Sequence, residues 1–64
     1  MKYKIYYTKH GSRECIICEG NESVINIVTL LHKVQRITGE YMGIKVFYLS
    51  DVYGTWEPLR SVAI

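Results

Sequence analysis

Cys15 and Cys18 stand three residues apart, the spacing used by zinc sites and by redox thiol pairs. Either use needs both sulfurs on one side of a turn or a helix start. The surrounding segment, Arg13-Glu14-Cys15-Ile16-Ile17-Cys18-Glu19, reads instead as a strand. On a strand the two side chains face opposite ways. Their separation of about 10 Å exceeds the roughly 7 Å that a disulfide can bridge. His10 and His32 would complete a set of four zinc ligands only if this segment were not extended. The pair therefore reads as two small apolar side chains, and no metal or cofactor is expected.

The remaining reactive groups are scattered. Glu14, Glu19, Glu22, Glu40, Asp51 and Glu57 form no spacing that would pair two carboxylates for acid and base work. Neither histidine has a neighbour that completes a dyad or triad. There is no glycine-rich phosphate loop. The expectation is a protein that binds rather than catalyses.

With 64 residues, the chain is expected to form one domain over 1–64, with a thin core and marginal stability. Its composition, 48% hydrophobic and 22% charged, is that of a folded protein rather than a disordered one. Residues 2–8 alternate polar and apolar and carry three tyrosines. Lys9-His10-Gly11-Ser12 makes a turn, and residues 13–19 return as a second strand. A two-residue or a four-residue loop gives the same register, with Thr8 opposite Arg13, Ile5 opposite Ile16, Tyr3 opposite Cys18 and Lys2 opposite Glu19. A three-residue loop would break it, since a one-residue slip exchanges the faces.

Gly20-Asn21 breaks the strand and offers Asn21 as a helix cap. Val24, Ile27, Val28, Leu30, Leu31, Val34 and Ile37 then recur at helical spacing as one broad apolar face. Gly39 ends the helix. Glu40 to Gly43 reads as a connection to a third strand, Ile44–Leu49. A short fourth strand follows at Thr55-Trp56-Glu57, and Pro58 confines it to an edge. The fold class predicted is α+β: a ββαβ(β) antiparallel sheet of three to four strands with one amphipathic helix on one face.

Function enters through a mismatch between these layers. One helix covers one face of a sheet, and the uncovered face of an antiparallel sheet normally turns polar side chains to water. Strands two and three are apolar on both faces. With Tyr3, Ile5, Tyr7, Ile16 and Cys18 under the helix, a patch of Tyr6, Cys15, Ile17, Phe47 and Leu49 is left over, with Trp56 beside it. Such patches on small proteins usually mark interaction sites. The expected partner is another protein or a second copy of this chain. Coverage of the same face by the C-terminal residues is the competing expectation. Tyr41, Tyr53 and Trp56, placed in or near loops, are further candidates for contact.

The alternative is single-stranded nucleic acid. Lys2, Lys4, Arg13 and Lys45 share the bare face with Tyr6 and Phe47, which combines charge for phosphates with rings for bases. Against it stand Glu19 on that face, a net charge of only +2 and the lack of an RNP-like motif. No export signal and no stretch of roughly 18 apolar residues is present, so a reducing cytoplasm and no membrane are expected. Accessory proteins of phages and other mobile elements, including inhibitors of host machinery, often have this scale. That is an analogy of size and architecture alone.

Overall fold

The computed structural model describes residues 1–59. In chain order it contains β1 (Lys2–Lys9), β2 (Ser12–Glu19), α1 (Asn21–Thr38), β3 (Tyr41–Leu49) and β4 (Trp56–Pro58). The four strands form one antiparallel sheet in the order β2-β1-β3-β4. The α+β class is as the sequence predicts.

A two-residue turn joins β1 to β2. His10 and Gly11 both take positive φ, 50° and 82°, as the tightest hairpins demand. The register is the predicted one: Thr8 faces Arg13, Ile5 faces Ile16, Tyr3 faces Cys18 and Lys2 faces Glu19. Parity then sends Tyr3, Ile5, Tyr7, Ile16 and Cys18 to the helix side, where they join or pack against the core.

The helix begins and ends on glycines. Gly20 is its N-cap and makes no side-chain cap hydrogen bond. The expected cap, Asn21, is instead the first helical residue, and its Oδ1 accepts a hydrogen bond from the Tyr3 hydroxyl. Asn21 thus ties the helix start to β1 rather than to its own first turn. At the other end Gly39 is left-handed (φ 70°), and its N–H donates to the Gln35 carbonyl at 2.9 Å.

The buried side of the helix is narrower than its apolar stripe. Val24, Val28 and Leu31 are buried, with Ile27 packed beside them. Leu30 and Ile37 are 60% and 75% exposed, so the single broad apolar face expected from spacing is corrected. A helix on a flat sheet buries only the arc that touches it, and these two lie on the flank.

β3 starts three residues earlier than expected, because Tyr41-Met42-Gly43 extend the strand instead of connecting to it. Periodicity concealed this, since a bulge interrupts the pairing: Tyr6 faces Lys45, but Thr8 faces Met42. Gly43 takes φ 62° at that point, a conformation glycine adopts without strain. The bulge seats Tyr41 edge-on against Tyr7, ring centroids 5.3 Å apart.

After β3 the chain closes a tight loop. Ser50 N–H donates to Thr55 O and Gly54 N–H to Ser50 O, both at 2.8 Å. β4 pairs Leu49 with Trp56 and Phe47 with Pro58, at the sheet edge that proline requires. The Leu59 N–H donates to Val46 O at 2.8 Å, and its side chain packs against the core. The core proper is Tyr3, Ile5, Val24, Val28, Leu31 and Val46, centred on the fully buried Ile5 and Val28.

Candidate functional site

The sheet face opposite α1 brings the predicted residues together. Cross-strand pairing fixes its rows: Glu19 beside Lys2, Ile17-Lys4-Phe47-Pro58, Cys15-Tyr6-Lys45, Arg13 beside Thr8, and Leu49 beside Trp56. All six expected contact residues, Tyr6, Cys15, Ile17, Phe47, Leu49 and Trp56, therefore lie on one surface. The four cations of the alternative set, Lys2, Lys4, Arg13 and Lys45, lie there too.

Exposure divides this surface in two. Towards β2, Ile17 is 65% and Tyr6 40% exposed, and Cys15 is exposed beside them. Towards β4, Phe47, Leu49 and Trp56 are half-buried. The cause is local covering by neighbours on the same face. Tyr6 meets Phe47 edge to face, centroids 5.4 Å apart and rings at 88°. Lys4 lays its stem across the sheet and holds its Nζ 4.4 Å from the Trp56 ring centroid. Long cationic side chains cover apolar neighbours in this way while keeping their charge in water.

Electrostatically the face is one-sided. Among the described residues, Lys2, Lys4, Arg13 and Lys45 stand on it against the single carboxylate of Glu19. The protein's other carboxylates on strands, Glu14 and Glu57, pair with Tyr7 and Tyr48 and so fall on the helix side by parity. An open cleft of about 290 Å³ lies beside the bulge, lined by β1, β2 and β3 residues of both faces, among them Tyr6, Tyr7, Arg13, Glu14, Gly43 and Lys45.

No protein-family model matches the chain, and no curated protein or solved structure matches it.

The other candidates fall elsewhere. Cys15 and Cys18 take opposite faces, Cys15 open and Cys18 half-buried against the core. Burial pushes the Cys18 thiol above its ordinary value of 9.0. Among the described residues no cluster of three metal-ligating side chains occurs. His10 sits in the β1–β2 turn, and His32 is half-buried on the helix.

The three aromatic residues expected in or near loops separate, Trp56 lying in the short fourth strand predicted for it. Tyr41 and Trp56 lie in strands, and Tyr53 remains in a turn, 76% exposed. Tyr41 is corrected as a loop contact residue: it packs on Tyr7 on the helix side, with Lys9 Nζ 5.5 Å from its ring. The expected coverage by the C-terminal segment concerns 59–64: Leu59 packs against the core rather than on the open face, and 60–64 lie outside the described residues. Spacing did not single out Lys4 as a partner of Trp56, since only the β1–β3–β4 pairing brings residues 4 and 56 together. No helix of the described chain is long and apolar enough to cross a membrane.

Proposed function

We propose that this chain is a non-enzymatic binding protein that docks its open sheet face onto an acidic, partly apolar surface of another protein. One observation carries this: exposed Ile17 and Tyr6 lie among Lys2, Lys4, Arg13 and Lys45, with only Glu19 opposing them among the described residues. Apolar anchors ringed by one sign of charge combine burial with steering toward the opposite sign. The same charge weighs against stacking two copies face to face, because lysines would meet lysines. The open cleft at the bulge offers little to a reaction that must exclude water, which supports binding over catalysis. Occupying a partner's surface is also how an accessory or inhibitory protein of a mobile element would act. Cytoplasmic residence fits an exposed free Cys15.

Nucleic acid is less well supported by this geometry. Lys4 already caps one face of Trp56, and Tyr6 stands edge-on to Phe47. Neither arrangement leaves a broad ring platform for stacked bases.

The test uses the intact chain as bait in extract of its native cell. Tyr6→Ala combined with Lys45→Glu should release a partner that wild type retains, and Leu30→Ala on the helix flank should retain it. The apolar share of the interface should keep the complex together at moderate salt. Equal retention by the face variant overturns the proposal. So does retardation of single-stranded oligonucleotides that weakens steeply with salt, which would assign the face to nucleic acid.

A further inference from the structure

The two edges of the sheet are protected to very different degrees. β4 is three residues long and ends in Pro58, both standard devices against unwanted pairing. β2 is eight residues long, carries no proline and no lysine, and runs unbulged along β1 from Lys2–Glu19 to Lys9–Ser12. Its charges, Arg13, Glu14 and Glu19, are of both signs, and among the described residues nothing pairs with its outer side, so this long, regular edge is a template for another strand.

Backbone parity says which groups that edge offers. In an antiparallel ladder, alternate residues exchange hydrogen bonds with the neighbouring strand. The two-residue turn makes Lys9 and Ser12 a bonded pair, and the Gly20 N–H donates to Met1 O at 3.0 Å at the far end. Ser12, Glu14, Ile16 and Cys18 therefore bond inward to β1. Arg13, Cys15, Ile17 and Glu19 turn their N–H and C=O groups to the open edge.

These four residues are complementary to themselves in reverse. With a twofold axis at Ile16, Arg13 of one copy faces Glu19 of the other, and Cys15 faces Ile17. The charge pair occurs twice, and each facing pair can exchange two backbone hydrogen bonds. A shift of two residues in either direction sets Arg13 against Ile17 or Asn21 and loses both ion pairs. On the helix side, half-buried Ile16 would meet its own copy across the axis.

We propose that the protein forms a twofold dimer through antiparallel pairing of its β2 edges, in the register that joins Arg13 to Glu19 of the second copy. The product is one continuous sheet with both helices on one side and both cationic faces side by side on the other. Arg13, Cys15, Ile17 and Glu19 of the open face then line the seam, whereas Lys2, Lys4, Tyr6 and Lys45 stay clear of it. The docking variant at Tyr6 and Lys45 and the seam variants at Arg13 and Glu19 therefore let the two proposals fail separately.

Sedimentation of charge-swapped variants tests it. Wild type should sediment as a dimer at hundreds of micromolar. Arg13→Glu and Glu19→Arg should each be monomeric with unchanged helical circular dichroism. Mixing the two, or combining both changes in one chain, restores opposite charges across the edge and should restore the dimer. A monomeric wild type, a dimer indifferent to either single swap, or singles whose mixture stays monomeric would each overturn it.

Covalent trapping is independent of the charge swaps. In Cys18→Ser protein, Ile17→Cys places a thiol opposite Cys15 of the second copy, where facing Cα atoms lie about 5.5 Å apart. Mild oxidation should yield a dimer linked from residue 15 to residue 17. Failure to cross-link in folded protein overturns the register.

Discussion

The ammonium of Lys4 lies 4.4 Å from the centre of the Trp56 ring, joining the central strand β1 to the short edge strand β4 across β3. β4 has only three residues, so side-chain contacts of this kind contribute a large share of its attachment. Trp56 is the sole tryptophan and reports on the contact directly. Lys4→Met keeps the stem and removes the charge. It should shift the fluorescence emission and cost about 0.5–1 kcal/mol in urea unfolding, the usual worth of a partly exposed cation on a ring. Unchanged emission would show that the ammonium does not rest on the ring in solution.

Gln35 points its Oε1 into the protein, and among the described residues nothing donates to it. A buried acceptor without a donor costs about 1–3 kcal/mol. Gln35→Met has similar length and no polar atom, so it should stabilise the fold by about 1 kcal/mol. For a domain of this size that raises the melting temperature by roughly 4–8 °C. A lower melting temperature would mean that the amide is satisfied in solution.

The two cysteines should differ in reactivity and in their effect on stability. Cys15 is exposed and should be labelled rapidly by a thiol reagent at pH 8, whereas half-buried Cys18 should follow slowly. Cys15→Ser removes the fast phase. Burial raises the folded-state value of Cys18, so the thiol ionises first in the unfolded chain. Its stabilising contribution is whole below pH 9.0 and is lost as pH rises through the higher folded value. Tyr7 adds to the same trend from 10.0 upward, raised by burial first and by Glu14 next. Urea midpoints should therefore fall on the alkaline side, and less steeply just above pH 9 in Cys18→Ala.

Ile5 and Leu30 are both aliphatic, yet they should behave differently. Ile5 is fully buried at the centre of the sheet, so Ile5→Val should cost about 0.5–1.5 kcal/mol. Ile5→Ala, at about 2–5 kcal/mol, should leave little of a small domain's stability. Leu30 is 60% exposed, and Leu30→Ala should stay within about 0.5 kcal/mol of wild type. A large loss at Leu30 would mean that the helix flank is covered in solution.

Local chemistry wrote most of this fold into the sequence. Alternation with a glycine turn set the β1–β2 register, and the 3.6-residue period with Gly39 set the helix and its end. Strand parity alone was enough to separate Cys15 from Cys18, and with the two-residue turn to group Tyr6 with Ile17 on one face. These features depend on neighbours a few residues apart, whose geometry has few alternatives.

Contacts between distant residues were decided only in three dimensions. The bulge at Gly43, the bond from Tyr3 to Asn21, the exposure of Leu30 and Ile37, and the rest of Lys4 on Trp56 all depend on how separate elements meet. Strand order did too: with β1 and β3 in the middle, β2 became the long free edge among the described residues. Periodicity records which way a side chain points, but only packing determines what stands in front of it.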